Sequence, residues 1–295
     1  MLASPLSVVP GIIISMTQSS TGAALHALAR THLPADVAEK WIGLLRPGIR
    51  LVAADEGEPV VGQLGGRPAL PEGVEWPVWE GNGPLSFIAS VDCAALPVGE
   101  LDVALPVDGT LAFFYFDGQL GEHGEGFLSG DDPDGAAGAR VLYIPAGAVT
   151  TERPTPDGLD AHPAVRLTAR LTVTAPDHYH HAAEEVLKDV DVPDELDDAI
   201  NDVMGDVGHR IGGHAVPVQG PVEEEVAHGL LGPGTSWKDP RMAEEARRWT
   251  LLAQFDTDDE ADMMWGDCGA LYWLIRPEDL AAGRFDRARI TMQCC

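Results

Sequence analysis

"DTDDEADMMWGD", Asp256 to Asp267, sets six carboxylates within twelve residues. Hard cations such as calcium and magnesium are held by converging oxygen donors of this kind. Against a twelve-residue calcium loop, Asp256, Asp258 and Glu260 stand at the first, third and fifth positions, and Asp267 closes the stretch. The glycine required at the sixth position is replaced by Ala261, and the closing residue is aspartate where a bidentate glutamate is needed. Two readings stand. One is a divalent-cation site of Asp256, Asp258, Glu260 and Asp267 in a metal-assisted hydrolase; the other is an acidic hairpin connection with no chemistry.

"DHYHH", Asp177 to His181, offers three imidazoles, His178, His180 and His181, followed by Glu184 and Glu185. In a strand His178 and His180 share a face; in a helix His181 and Glu185 do. Either pair starts a zinc or iron site, but no further His or Cys stands at ligand spacing. An exposed polar helix start is the alternative. The cysteines Cys93, Cys268, Cys294 and Cys295 are flanked by acids or apolar strand residues. That setting opposes a thiolate nucleophile, so buried structural cysteines are expected. No nucleophile elbow, phosphate loop, His-Glu-x-x-His pair or dinucleotide fingerprint occurs. A non-catalytic binding protein is therefore expected ahead of an enzyme, with no catalytic residue to name.

The elements that would position these groups are mostly strands, short β-branched or aromatic runs bounded by Gly, Pro and Asp. They are Leu85–Asp92, Gly109–Asp117, Arg140–Ile144, Val165–Thr174, Trp249–Asp256, Gly269–Arg276 and Arg289–Gln293. Helices are expected from Thr21 to Pro34, with Leu25, Leu28 and Ala29 on one face. A second carries Val37, Trp41, Leu44 and Leu45 and stops at Pro47-Gly48. A third helical segment, Ala182 to Met204, is divided by Pro193, which suits the first turn of a new helix presenting Leu196, Ala199, Ile200 and Val203 inward. Glu184 to Asp206 holds ten acidic residues and one lysine, a solvated face or a docking surface for a basic partner. "GEHGEGFLSGDDPDG", Gly121 to Gly135, reads as a surface loop whose acidity opposes phosphate.

Four blocks recur in the same order. "QLGGRP" answers to "RIGGHAVP", "LSFIASVD" to "WTLLAQFD", "GTLAFFYF" to "GALYWLIR" and "ARVLYI" to "ARITMQ". The expected fold is mainly β (α+β): a roll-like antiparallel body built from two related halves, with peripheral helices. The halves span about residues 50–150 and 205–295, joined by a strand and acidic helical insert over about 151–204. Residues 21–48 form a helical segment ahead of this single domain, and 1–20 form a flexible leader.

The paired glycines of "LGGRPALPEGVEWP" are then structural corners, because glycine permits left-handed backbone and proline fixes the exit. The seam between halves is where a ligand cleft is expected. Its edges would carry Arg67, Trp76, Arg210, His214, Trp265 and Asp267, with the arginines making a positive spot for a carboxylate or a partner's acidic tip. The alternative is that both arginines bind carbonyls or carboxylates at the corners.

"LGGRPALPEGVEWP…GPLSFIASVD…DGTLAFFYFD", then "HRIGGHAVPVQGPVEEE" and the C-terminal "MMWGDCGALYW…QCC", resemble the YwqG-like family, bacterial proteins of unassigned function. The resemblance runs from about Ile49 to Cys295. It departs at Ser90, where the glutamine that stands at Gln254 is expected. It implies a mainly β, roll-like fold with peripheral helices, and transfers no catalytic residue.

The 295 residues are 45% apolar, enough to bury a full core. Acidic residues number 47 against 19 basic, for a net charge of -28. Such a chain repels phosphate backbones and anionic membranes, so the expected partner is a basic protein or a small ligand. The N-terminal apolar run is broken by Pro10-Gly11, and the first positive side chain is Arg30, which makes a poor secretory signal. With four cysteines and no disulfide framework, the expected compartment is the cytoplasm. A chain started at Met16 is expected to melt at the same temperature as the full chain, because the preceding residues lack core periodicity. A lowered melting temperature on truncation, followed by circular dichroism, would show that the leader docks.

Overall fold

A computed structural model describes residues 20–120, 135–232 and 234–295. The leader up to residue 19 and residues 121–134 of the acidic glycine-rich loop lie outside the described residues. Two helices come first, α1 (Ser20–His32) and α2 (Ala35–Ile42). Then follow β1 (Arg46–Ala53), β2 (Gly62–Leu64), β3 (Ala69–Pro71), β4 (Val78–Trp79), β5 (Gly83–Pro84), β6 (Ser86–Asp92) and β7 (Thr110–Tyr115). β8 (Ala139–Ile144), β9 (Thr150–Glu152) and β10 (Val165–Thr174) lead to α3 (His181–Leu187) and α4 (Asp194–Met204). The rest comprises β11 (His209–Ile211), α5 (Val222–Leu231), α6 (Pro240–Ala246), β12 (Thr250–Asp256), β13 (Ala270–Ile275), α7 (Pro277–Ala281) and β14 (Arg289–Gln293).

Ten strands form one antiparallel sheet in the order β14-β13-β12-β11-β1-β10-β2-β6-β7-β8. The fold is mainly β. β1 and β10 pair at its centre, β1 is flanked by β11, and β10 is flanked by β2. The ladder from β2 pairs Gln63 with Ser90 and Leu64 with Ala89; that from β11 pairs Arg210 with Gln254 and Ile211 with Ala253. A register shift falls between Phe87 and Ala89 of β6, and another between Leu251 and Ala253 of β12.

Alternation sets the two faces of each strand. In β7, Phe113 turns inward to meet Phe255 and Trp273, ring centroids 5.1 and 5.4 Å away, while Phe114 turns outward under Trp76. Because β7 and β13 lie near opposite ends of the sheet, these contacts require it to curl into a near-closed roll. The edges also approach: Phe285, just before β14, stacks on Tyr143 of β8 at 5.6 Å. Every residue of β13 is buried, since α5 covers the face that carries Tyr272 and Leu274. On the outer side of β10, Val173 and Ala175 pack under α1 to α4 in a second cluster with Leu25, Trp41 and Leu196.

Several boundaries differ from expectation. α2 ends at Ile42, and Pro47-Gly48 lie inside β1. Pro47 sits where β1 has a neighbour on one side only, because pairing with β11 begins at Ile49, so its missing N–H is tolerated. Pro193 is the N-cap of α4, one position before its first turn. β1 to β5, β9, β11, α5, α6 and α7 are additional elements.

The glycine corners close against backbone. Gly65 and Gly66 have φ of 54° and 72°, and Gly212 and Gly213 have 63° and 70°. A Cβ on Gly65 would stand 2.2 Å from the Pro163 carbonyl oxygen, and one on Gly213 would stand 2.6 Å from the Thr174 hydroxyl. Gly65→Ala combines a left-handed backbone with a rigid clash, and is expected to cost about 2–4 kcal/mol in urea unfolding. Gly73→Ala, at φ 84° in open space, carries only the backbone penalty and should cost about 1 kcal/mol. Equal losses in the two variants would remove the clash from the account.

Candidate ligand groove

A groove of about 640 Å³ lies where the helical layer meets the end of β12. Its apolar floor includes Trp41, Leu196, Met204 and Val216. Trp41 is delivered by α2, and Leu196 and Met204 by α4, whose packing turns them toward the sheet. Around this floor stand Asp177 from the turn after β10, Asp197 on α4, Asp206 beyond its C-terminus, and Asp256 at the end of β12. No lysine or arginine lines the groove among the described residues. Burial, foremost, raises the Asp256 pKa, and the negative charge of Asp206 adds to it, while a 2.7 Å bond from the Gly208 N–H acts in the other direction. A second hollow of about 420 Å³ continues past His178 and Leu187 to Glu184 and Lys188.

Two buried amides hold the segment that forms the groove's far wall. Gln254 accepts from the Val216 N–H at 3.0 Å and donates to the Val207 and Gly208 carbonyls at 2.7 and 2.9 Å. Gln293 accepts from Val218 and Gln219 and donates to Gly220 and Glu225. Fully satisfied amides of this kind fix a single arrangement, because removing either side strands the other without water. Tyr272 adds a hydroxyl donated to the Val216 carbonyl at 2.9 Å.

The residues expected at a seam cleft are not brought together. Arg210 is 2% exposed and donates to the carbonyls of Met204, Asp206 and Val207, so its charge serves the end of α4. Arg67 is exposed beyond β2. β2 and β11 are separated by β1 and β10, roughly 14 Å at ordinary strand spacing, so the two arginines form no joint positive spot. Trp76 donates to the Leu85 carbonyl at 2.7 Å, and Trp265, 3% exposed, to the Asp256 carbonyl at 3.1 Å. Both indoles are structural. His214 is buried with its Nε2 bonded to the Leu44 carbonyl at 2.7 Å, and Asp267 is exposed. Of the residues expected at the seam or in the acidic loop, Asp256 lines the groove, and His178 of the histidine cluster lines it too.

The acidic loop closes on itself. Asp258 accepts from the Ala261 N–H at 2.7 Å and meets His209 Nε2 at 3.1 Å, a bond that lowers its pKa. Asp256 accepts from Gly208, while Glu260 and Asp267 face solvent. Among the described residues no three His, Cys, Asp or Glu side chains are grouped to hold a metal ion. The hairpin reading describes this geometry. The cysteine expectation needs correction: Cys93 is buried, but Cys268 and Cys295 are exposed. They sit beyond the last pair of the β13–β14 ladder, where the sheet no longer covers them.

Another pair went unread in the sequence. His162 joins Asp117 through Nε2 at 3.3 Å and the Asp262 carbonyl through Nδ1 at 3.0 Å. Although Ser86 is close, its hydroxyl bonds Asp117 and not the imidazole. A hydrolytic triad needs the serine on the histidine, and here both ring nitrogens are occupied, so the trio is a lock between loops.

"DHYHH" also separates. His178 Nδ1 lies 3.2 Å from Asp197 across the groove. His180 caps α3 by accepting from the Ala182 N–H, and its ring lies 4.2 Å from the tilted His181 ring and 5.3 Å from His214. Burial pushes His180, His181 and His214 down to about 2, 4 and 3. Glu223, in the first turn of α5, shares a small cavity with His180 and His214, and burial raises it to about 7.

This fold is a mainly β roll carrying an acid-rimmed groove under a helical layer. The chain belongs to the family described as Domain of unknown function (DUF1963), whose model matches residues 62–294. A comparison with curated proteins found no match. The family match begins at β2, so α1, α2 and the central strand β1 lie outside it.

The buried histidines give a pH dependence with a defined sign. Below the unfolded value near 6.5 the unfolded chain takes up protons that native His180 and His214 refuse, so stability falls on acidification. Each contributes a slope of about 1.4 kcal/mol per pH unit. Glu223 acts oppositely, because its native form holds a proton between about pH 4.5 and 7 that the unfolded chain has released. The urea midpoint is expected to drop from about pH 6.5 to 5. His214→Gln, which keeps a donor for the Leu44 carbonyl, should flatten that drop, and Glu223→Gln should steepen it. An unchanged slope in His214→Gln would refute the assignment.

Proposed function

We propose that this is a non-catalytic binding protein whose groove takes an organic cation with an apolar body. The observation that carries the reading is the ring of Asp177, Asp197, Asp206 and Asp256 around an apolar floor without a described lysine or arginine. Its volume of about 640 Å³ falls within the usual range for small-molecule sites. A unit charge about 4 Å from a rim carboxylate gains about 4 kcal/mol at an effective dielectric of 20. An apolar body adds about 25 cal/mol for each Å² it buries. The lysine or arginine side chain of a basic protein offers the same chemistry, which keeps a protein partner compatible with this groove. We place the protein in the cytoplasm, a reading supported by its free cysteines.

We infer further that the β body is a duplicated unit and that the chain falls with the YwqG-like proteins. The second inference rests on the motif "MMWGDCGALYW". The first is supported by matching registers. Gln63–Ser90 and Leu64–Ala89 correspond to Arg210–Gln254 and Ile211–Ala253, and the register shifts in β6 and β12 fall at corresponding residues. The correspondence extends to "RPGIRL" of β1 and "HPAVRL" leading into β10, since Ile49 pairs Ile211 as Val165 pairs Leu64. Each half then lends its first strand to the other's flank.

Calorimetric titration with octylammonium tests the groove, with octanoate as the charge control. Octylammonium is expected to bind and octanoate not. Asp206→Asn and Asp256→Asn should each weaken binding about tenfold, equivalent to about 1.4 kcal/mol, with the melting temperature little changed. Met204→Trp should block the floor. Equal binding of the two amphiphiles, or indifference to all three substitutions, would overturn the reading.

A further inference from the structure

The groove has two acidic ends and an apolar middle, and α4 sets the distance between them. Leu196, Ile200 and Met204 stand four residues apart on α4, and all three line the groove. Side chains at that spacing share one face of a helix, so they make a continuous apolar strip along its axis. Asp197, in the first turn of α4, lines the groove at the start of the strip. Asp206, two residues beyond Met204, lines it at the other end. At about 1.5 Å of rise per residue, the two carboxylates are separated by roughly 12 Å along the axis.

Each end is more than a single carboxylate. His178 Nδ1 lies 3.2 Å from Asp197 Oδ2, and no hydrogen bond to Asp197 Oδ1 occurs among the described residues. The segment that carries His178 also brings Asp177 and Tyr179 to the groove. Asp177 accepts the Tyr179 N–H at 2.9 Å, and the Tyr179 side chain is left 63% exposed, its ring 5.2 Å from that of His178. An exposed aromatic beside carboxylates offers its face to a cation. At the far end Asp256 accepts from Gly208 at 2.7 Å, and the charge of Asp206 acts on it. The hollow that continues past His178 holds Lys188 as well as Glu184, so it adds no third acidic end.

We propose that the groove's ligand is a linear α,ω-diammonium, one ammonium at Asp197, the other at Asp206 and Asp256, its methylene chain on Leu196, Ile200 and Met204. This rests on the organic-cation reading of the groove and narrows it. Charge complementarity argues for the second ammonium. A chain ending in a methyl group would press that end against Asp197, stripping water from a carboxylate and giving it no partner. An ammonium there pairs with it, and once the first end is held the second engages at high effective concentration. Length follows from the separation of the ends. An extended chain advances roughly 1.2 Å per bond, a third of one residue's reach. The nine bonds between the nitrogens of octane-1,8-diamine thus span roughly 11 Å, and the five of butane-1,4-diamine roughly 6 Å.

The full chain is titrated calorimetrically with both diamines and with octylammonium at one ionic strength. Octane-1,8-diamine is expected to bind about tenfold tighter than octylammonium, and butane-1,4-diamine more weakly than either. Asp197→Asn should remove most of that advantage while leaving octylammonium little changed, and Tyr179→Ala, at an exposed position, should remove part of it. Asp206→Asn should weaken both eight-carbon amines. Octylammonium binding as tightly as octane-1,8-diamine would overturn the two-ended site and leave the groove reading standing. So would an advantage that survives both Asp197→Asn and Tyr179→Ala in folded protein. Equal binding of the two diamines would reduce the effect to general attraction by the net charge of -28, and would overturn the site as well. Failure of all three amines to bind would overturn the groove reading itself, and the two-ended site with it.

Discussion

The antiparallel ladder between β1 and β10 is the constraint on which the remaining structure depends. It joins Arg46–Thr174 through Ala53–Leu167, and the Thr174 hydroxyl also bonds the Arg46 carbonyl across 128 residues of chain. Closing so long a loop costs entropy that no local contact returns, so the ladder must be secured by what flanks it. β11 and β2 do so on either side, and each runs into a glycine corner packed against the central strands. A slip of one residue would turn Ile49 and Leu51 out of the core and Arg50 into it. The register is therefore held by burial as well as by hydrogen bonds.

That register places Arg50 opposite Arg170 on one side and Arg210 on the other, a row of like charges across three strands. Such a row is unfavourable, and the two outer guanidiniums are drawn out of it. Arg170 pairs with Glu58, and Arg210 turns to three carbonyls at the end of α4. Those carbonyls carry the negative end of the helix dipole, so the buried cation is stabilised where it ends the helix. The consequence reaches the groove. Arg210 fixes the Met204–Val207 segment from beneath, and Gln254 fixes Val207, Gly208 and Val216 from the side. The rim carboxylates Asp206 and Asp256 are thus held near each other by groups that never contact solvent.

Much of this sheet could be read in the sequence because alternation marks both faces, as in "GTLAFFYF" and "GALYWLIR", whose inward residues Phe113 and Trp273 now touch. β1 escaped because Pro47-Gly48 reads as a helix stop; the echo of "RPGIRL" in "HPAVRL" was the available signal. "PVEEEVAHGLL" carries the acidic first turn of α5 and could have been read as a helix. The groove was not legible in this way. Its walls come from four separated stretches, around Asp177, Asp197 to Asp206, Val216, and Asp256 to Cys268. No periodicity links those stretches. Arg67 and Arg210 were paired because each neighbours a Gly-Gly turn, but Arg210 precedes its glycines and Arg67 follows them, so a shared motif does not give a shared direction.

Why the groove lies at the periphery follows from what fills the roll. Phe113, Tyr115, Phe255, Trp265 and Trp273 meet edge to face between the two ends of the sheet. Trp273 Nε1 is buried there without a partner among the described residues, a penalty of about 1–3 kcal/mol. Burying about 200 Å² of indole returns about 5 kcal/mol, so packing wins and the orphan donor is tolerated. A cavity opened at that position would forfeit the packing and still leave polar backbone to satisfy. The helical layer faces no such demand, because α4 joins the sheet through loops and can leave space above Trp41 and Met204 without breaking a ladder. With 47 acidic residues against 19 basic, carboxylates are the polar groups most available to edge such a space. The sign of the groove's charge thus follows from composition, and its position from where the sheet could spare contacts.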